Sequence, residues 1–282
     1  MMDTEASLPY GPLWLLLGLG SLLVAWFVGQ PRLADWLRTR RQAEPFPAAW
    51  RRILRHRVPL LNRMPVDLQL QLKKHIQVFL AEKSFVGCQG QAITDEVRVT
   101  IAAQACLLLL NRPSGYFPRL RQILVYPSAF AVEHDEVDEA GVVHQRRDAR
   151  VGESWDQGQV ILSWDDVRRG AAVPHDGWNV VIHEFAHQLD AEKGKTNGAP
   201  ALPSARQYKQ WSQVMQRHFD ALNTALARGE HTFLDPYAGS APAEFFAVLS
   251  ESFFEQPVGL QHAHPALYAE LQAFYKVDPA QW

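Results

Sequence analysis

The sequence predicts a mostly helical α+β domain with a small sheet beside one central helix, preceded by a single transmembrane helix. Three observations lead there. Several long stretches carry apolar side chains at helical spacing, only two short β-rich runs stand out between them, and Pro12–Gly29 is almost wholly apolar.

The apolar run comes first in the chain. No charged residue occurs from Ala6 to Pro31. As a helix, Pro12–Gly29 spans ~27 Å, close to the ~30 Å hydrocarbon core of a bilayer, and Tyr10, Trp14 and Trp26 supply interfacial aromatics. Asp3 and Glu5 precede the run and Val28-Gly29-Gln30-Pro31 makes a poor cleavage site, which argues for an uncleaved anchor over a signal peptide. Arg32, Arg38, Arg40, Arg41, Arg51, Arg52, Arg55 and Arg57 follow, against only Asp35 and Glu44. The positive-inside rule then places the C-terminal side in the cytoplasm, and the same arginines can lie against anionic headgroups. The expected organisation is a tail (1–11), an anchor (12–30), a basic linker (31–45) and a globular domain (46–282), with Pro45-Phe46-Pro47-Ala48 as the joint. The expected location is the inner or cytoplasmic membrane, single-pass, with the domain cytoplasmic.

The domain has material for a large core, since 47% of the chain's 282 residues are hydrophobic. A net charge of -2 gives no case for direct nucleic-acid binding. Cys88 and Cys106 form neither a disulfide framework nor a C-x-x-C pattern. Cys106, inside the apolar run Ile101–Leu110, reads as a buried thiol, as suits a reducing compartment.

Pro65–Lys83 has for the most part the spacing of an amphipathic helix, with Val66, Leu68, Leu70, Leu72, Ile76, Phe79 and Leu80. Thr94 caps a second, with Asp95 and Glu96 in its first turn. Gln122–Tyr126 is a short strand ended by Pro127. Ala131–Arg150 is charged and irregular, with a hairpin about Asp138–Gly141. Gly158–Trp164 is a strand, and Asp165–Val167 opens a turn or short helix. Ser204 with Gln207 opens a helix through Leu226 with a capping-box signature. Further helices run from Pro242 to Glu255 and from Pro265 to Tyr275.

Between the last strand and Ser204 lies His183-Glu184-Phe185-Ala186-His187, an H-E-x-x-H pentapeptide. Its helix is expected between an N-cap at Asp176 and Gly194, with Val181, Ile182, Phe185, Ala186 and Leu189 facing the core. His183 and His187 then stand one above the other on another face. Two imidazoles at that spacing can bind one zinc ion, and Glu184 can act as general base towards a zinc-bound water. A catalytic zinc needs a third protein ligand, and Asp190, His231, Glu244, Glu251 and Glu255 are the candidates. Asp190 follows His187 too closely on one helix and reads as a support to a ligand imidazole or a neighbouring base. Glu244, in the first turn of its helix, can project onto the metal, and Glu251, two turns on, suits a supporting role. His218 reads as a packed or surface residue.

The segments HEFAHQLD, Asp235-Pro236-Tyr237-Ala238 and Pro242–Glu251 together resemble the Mlc titration factor A family of zinc peptidases. IAAQACLLLL and ILVYPSAF are similar to the same family, and the resemblance covers roughly Phe46 to the C-terminus. It implies a zincin-like domain with a gluzincin-type site similar to that of the anthrax lethal factor protease. It implies Glu244 as third zinc ligand and Tyr237 as a residue of the site. The members it resembles are soluble, so the apolar N-terminal run is a departure.

The expected activity is hydrolysis of a peptide bond by zinc-activated water, with Glu184 carrying the proton to the leaving amine and Tyr237 donating to the oxyanion. Gln159–Trp164 is expected as the sheet edge along which a peptide or protein substrate adds as a strand, with Trp155, Asp156 and Trp164 as candidate cleft residues. The alternative is a membrane-tethered regulatory protein that sequesters a cytoplasmic partner such as a transcriptional repressor. Glu184 favours the enzyme, since a binder has no need of it.

Overall fold

The computed structural model describes residues 11–113, 115–128, 130–137, 143–150, 152–155, 158–194 and 196–282. The chain divides into two units, Met1–Pro45 and Phe46–Trp282.

The described residues of the first unit form one helix, α1 (Gly11–Ala43), 33 residues long with Pro31 inside it. The basic segment expected as a linker therefore continues the helix as far as Ala43. Proline removes one backbone donor, and the neighbouring long side chains are good helix formers that carry the helix past it. Leu17, Leu19, Leu22, Leu23 and Trp26 are exposed along it. Tyr10 lies outside the described residues, as do the side chains of Pro12, Leu13, Trp14, Val24, Phe27 and Val28. Among the described residues no helix is long and apolar enough to cross a membrane.

The second unit is mostly helical. It contains α2 (Ala48–Arg57), α3 (Val66–Glu82), α4 (Asp95–Leu107), α5 (Trp164–Ala172), α6 (Val180–Asp190), α7 (Ala205–Ala227), α8 (Pro242–Glu255), α9 (Pro257–Ala263) and α10 (Pro265–Tyr275). Its strands are β1 (Ser84–Gly87), β2 (Gln122–Tyr126), β3 (Phe130–Val137), β4 (Val143–Arg150), β5 (Gly152–Trp155) and β6 (Gln159–Ser163). The main sheet has the order β1-β2-β6-β5. β1, β2 and β6 run parallel, and β5 is antiparallel to β6. β3 and β4 pair separately as an antiparallel ladder, in keeping with the hairpin expected within this segment, and the described part of the segment is more regular than expected. Charged residues carry little strand preference of their own, and the ladder is a matter of backbone pairing. The expected turn at Asp138–Gly141 lies outside the described residues.

Buried α4 is the pivot of the domain. Thr94 caps it by accepting from the Val97 N–H, and every residue from Val99 to Leu107 is buried. A helix apolar on all sides must be covered on all sides, and α2, α3, α5 and α6 pack around it. The sheet lies along α6 through β5 and β6, and α8 packs on α6 from another side. The core near α6 is aromatic: Phe117 meets Phe185 edge-on at 4.8 Å and Phe79 stands 5.7 Å from Phe185. Tyr116 and Phe117 both adopt left-handed backbone. The buried Lys83 ammonium holds that bend by donating to the carbonyls of Phe117 and Leu120, each at 2.8 Å. α6 is thus wedged between a close-packed core and α8, which leaves its histidine face no freedom to slide.

Candidate metal centre

Helix α6 begins at Asn179, not at Asp176. The Asn179 side chain accepts the Ile182 N–H, whereas Asp176 accepts from Trp178 one turn earlier. Either residue type can cap, and only tertiary contacts decide between them: Asn179 is buried against α8. Val181, Ile182, Phe185, Ala186 and Leu189 fill the core side as their spacing requires. His183 and His187 stand on the remaining face with their rings 5.0 Å apart, and their side chains are 14% and 11% exposed.

Helix α8 completes the group. Pro242 occupies its first turn and Glu244 follows, where a carboxylate is favoured by the helix dipole. Glu244 Oε2 lies 3.0 Å from His183 Nε2 and 3.3 Å from His187 Nε2. One ligand atom from each of these three residues lies within 4.8 Å of the others, and together they could hold a metal ion. Among the other candidates, His231 is exposed on the loop after α7, and neither it nor Glu255 joins this cluster.

The Nδ1 of His183 is 2.7 Å from Glu251 Oε1, and the second oxygen of Glu251 accepts the Asn179 N–H. Asn179 in turn donates through Nδ2 to Glu255 at 2.9 Å. The imidazole therefore keeps Nε2 for the cluster and gives Nδ1–H to a carboxylate, the arrangement that prepares a histidine for metal. Asp190 makes no hydrogen bond to an imidazole among the described residues, although its charge acts on His187. Its Oδ2 accepts the N–H groups of Asn197 and Gly198, each at 2.7 Å, so it also fastens the loop after α6.

Electrostatics point the same way. Burial alone would lower the His183 imidazole, but its hydrogen bonds to Glu244 and Glu251 outweigh that and raise it well above the ordinary range. Burial opposes ionisation of Glu244, yet the two imidazoles hold its carboxyl well below the usual carboxylate range. Burial raises Glu251. The pocket thus favours positive charge at the point where the two Nε2 atoms meet Glu244. Two imidazoles and a carboxylate converging there fit a zinc ion in ligand type and number.

Two more residues border the cluster. Glu184 is buried, at 4% exposure, and its charge acts on His183. Tyr237 sits on a short 3-10 turn, Pro236–Gly239, which Asp235 caps by accepting the Tyr237 N–H. Its ring is 6.1 Å from that of His183 and 55% exposed. The strand Gln159–Trp164 is not a sheet edge. β6 is paired on both sides, with β2 and with β5, and the edge beside α6 is β5. Trp164 packs against the core, and Asp156 and the side chain of Trp155 lie outside the described residues. His218 bonds the Val214 carbonyl within its own helix. Sequence reasoning missed Asn179 as the hub of this network, and its one local signal was an Asn three residues before the apolar Ile182.

Comparison with known proteins agrees with this geometry. Residues 33–276 match the family model of glucose-regulated metallo-peptidase M90. An uncharacterised protein of Synechocystis sp. is 40% identical over 258 residues, covering 91% of this chain and 94% of that protein. Mlc titration factor A of Pectobacterium atrosepticum is 36% identical, covering 79% of this chain and 84% of its own. Mlc titration factor A of Yersinia enterocolitica is 32% identical over 86% of this chain and 90% of its own. With a metal-competent cluster formed by the two histidines of an H-E-x-x-H helix and Glu244 of α8, the chain belongs to the M90 metallopeptidase family.

Proposed function

We propose that this protein is a zinc-dependent peptidase, held at the cytoplasmic face of a membrane by its N-terminal helix. The observation that carries the reading is the convergence of His183, His187 and Glu244 beside Glu184. His183, His187 and Glu244 would hold the zinc. When bound, zinc supplies a Lewis acid for the scissile carbonyl and acidifies water towards a pKa near ~7.

The chain's own residues supply the rest. Glu251 fixes the tautomer and tilt of His183 through Nδ1. Glu184 takes the proton from the attacking water at its carboxylate and passes it to the leaving amine, a role its burial beside the cluster suits. The Tyr237 hydroxyl donates to the oxyanion as the carbonyl carbon becomes tetrahedral. An extended substrate would add its backbone to β5, the edge strand next to α6. The apolar run Pro12–Gly29 and the arginines that follow support the membrane location and its orientation.

A second reading has one specific support. The relatives named Mlc titration factor A are named for titrating Mlc, and this chain could likewise sequester a regulatory protein. The deciding experiment presents the zinc-loaded full chain with a mixed peptide library, with Glu184→Gln in parallel. Cleavage by the wild type alone, with zinc retained in both, supports the peptidase. No cleavage by either, with zinc bound in both, favours the regulator-binding reading.

A further inference from the structure

We propose that the exposed face of α2 docks the domain on an anionic phospholipid surface. The helix AAWRRILRHR holds four arginines and no acidic residue, in a chain whose net charge is -2. Its inner side is committed to the domain. Leu54 is buried, and Trp50 and Ile53 pack against the core. Trp50 Nε1 donates to Asp95 at 3.0 Å, and Arg57 pairs with Glu96. At about 100° per residue, Arg51, Arg52, Arg55 and His56 all turn to the opposite, exposed side. Among the described residues no carboxylate lies within ion-pair distance of Arg51, Arg52 or Arg55.

Helix energetics do not account for this face. Cations in the last turn interact well with the helix dipole, which covers Arg55 and His56. Arg51 and Arg52 lie in the N-terminal half, where the dipole disfavours them, and neighbouring like charges repel. An external anion removes both costs. Beside the face runs an open groove of about 690 Å³, lined by Ala49, Arg52, Ile53, His56, Arg57 and Glu96. The Arg52 guanidinium and the aliphatic wall of this groove match a phosphodiester and the carbon chain attached to it, while Arg57 stays paired with Glu96.

The preceding helix argues for lipid over an acidic protein. On α1, Leu33, Trp36 and Leu37 share one face and are 55%, 56% and 48% exposed, with the Arg40 guanidinium 5.8 Å from the Trp36 ring centre. Aromatic and aliphatic side chains mixed with arginine are the mark of a segment lying in a membrane interface. α1 ends at Ala43, and α2 begins at Ala48. The proposal rests on the membrane location put forward above and adds the surface that meets the headgroups.

The test uses the full chain with vesicles of phosphatidylcholine alone, or with about a third phosphatidylglycerol. Flotation reports attachment. Modification of individual arginines by phenylglyoxal, followed by mass spectrometry, reports the surface. Arg51, Arg52 and Arg55 should react several-fold more slowly on the anionic vesicles, and the protection should vanish in about 0.5 M salt. Arg228, whose side chain is 68% exposed, should react equally on both. Arg51→Gln/Arg52→Gln should abolish the protection of Arg55. Flotation with both vesicles and equal arginine reactivity would overturn the docking surface and leave the anchor standing. Flotation with anionic vesicles only, with protection, would keep the surface and overturn the anchor. Equal protection by inorganic phosphate, or protection by polyglutamate and not by anionic vesicles, would overturn the lipid assignment.

Discussion

His183 Nδ1 lies 2.7 Å from Glu251 Oε1, and the other oxygen of that carboxylate accepts the N–H of Asn179, the cap of the helix that carries His183. One buried carboxylate thus fixes a metal-competent imidazole and the start of its own helix together. Removing such a partner typically costs ~10–100-fold in metal affinity. Glu251→Ala should therefore weaken zinc binding by about that factor, read by competition with a chromogenic chelator. Glu251→Gln can accept from His183 with its oxygen, but its amide then faces the Asn179 N–H, so it should recover only part of the loss. Equal affinity in all three proteins would show that Glu251 is merely packing.

Glu184 and Glu244 are both glutamates of the same pocket, and their losses should be separable. Glu244→Ala removes one of three converging donors and should lower zinc content together with any hydrolysis. Glu184→Gln should keep zinc and cut turnover by about 10²–10⁴-fold, the usual worth of a general base. Elemental analysis of the two purified variants distinguishes these outcomes before any substrate is known. Full zinc in Glu244→Ala would move the third donor elsewhere.

Tyr237 is 55% exposed, so its hydroxyl can be removed with little effect on folding. Tyr237→Phe should lower kcat by about 10²–10³-fold and leave KM nearly unchanged, because an oxyanion donor acts only in the transition state. The melting curve should not move. A change in KM alone would make Tyr237 a binding residue of the cleft wall.

Much of this centre is legible in the sequence because helical spacing alone puts His183 and His187 on one face, opposite Val181, Ile182 and Phe185. The helices beginning after Thr94 and Ser204 are legible because each start carries its own cap. What stays hidden depends on partners distant in the chain. Asn179 and Asp176 are equally good caps locally, and only Glu251 and Glu255, on α8, select Asn179. β6 has the same residues whether it is an edge or an interior strand, since pairing with β5 is not written in its alternation. Helix α2 is hard to tell from a solvated basic stretch because its apolar contacts, Trp50, Ile53 and Leu54, are few beside its arginines.

Glu255 gives the domain a pH dependence of its own. Burial raises its carboxyl to about 8, the Asn179 hydrogen bond opposes this, and Asp176 and Glu251 add to it. Its Oε2 is buried with no hydrogen-bond partner among the described residues, as suits a neutral acid. The folded carboxyl thus holds its proton up to about 8, while the unfolded one releases it near the ordinary glutamate value of 4.5. Between these values the folded state binds more protons, so stability falls as pH rises through that window and is lowest above the folded value. The loss should be on the order of a few kcal/mol, since each tenfold difference in proton affinity between the folded and unfolded chain is worth about 1.4 kcal/mol. Glu255→Gln keeps an oxygen for Asn179 and carries no charge, so its stability should fall less steeply than the wild type's over the same window and exceed it at alkaline pH. Urea unfolding followed by tryptophan fluorescence, repeated across that range, reads both curves. Parallel curves would mean that Glu255 is ionised in the fold, compensated by a group other than Asn179.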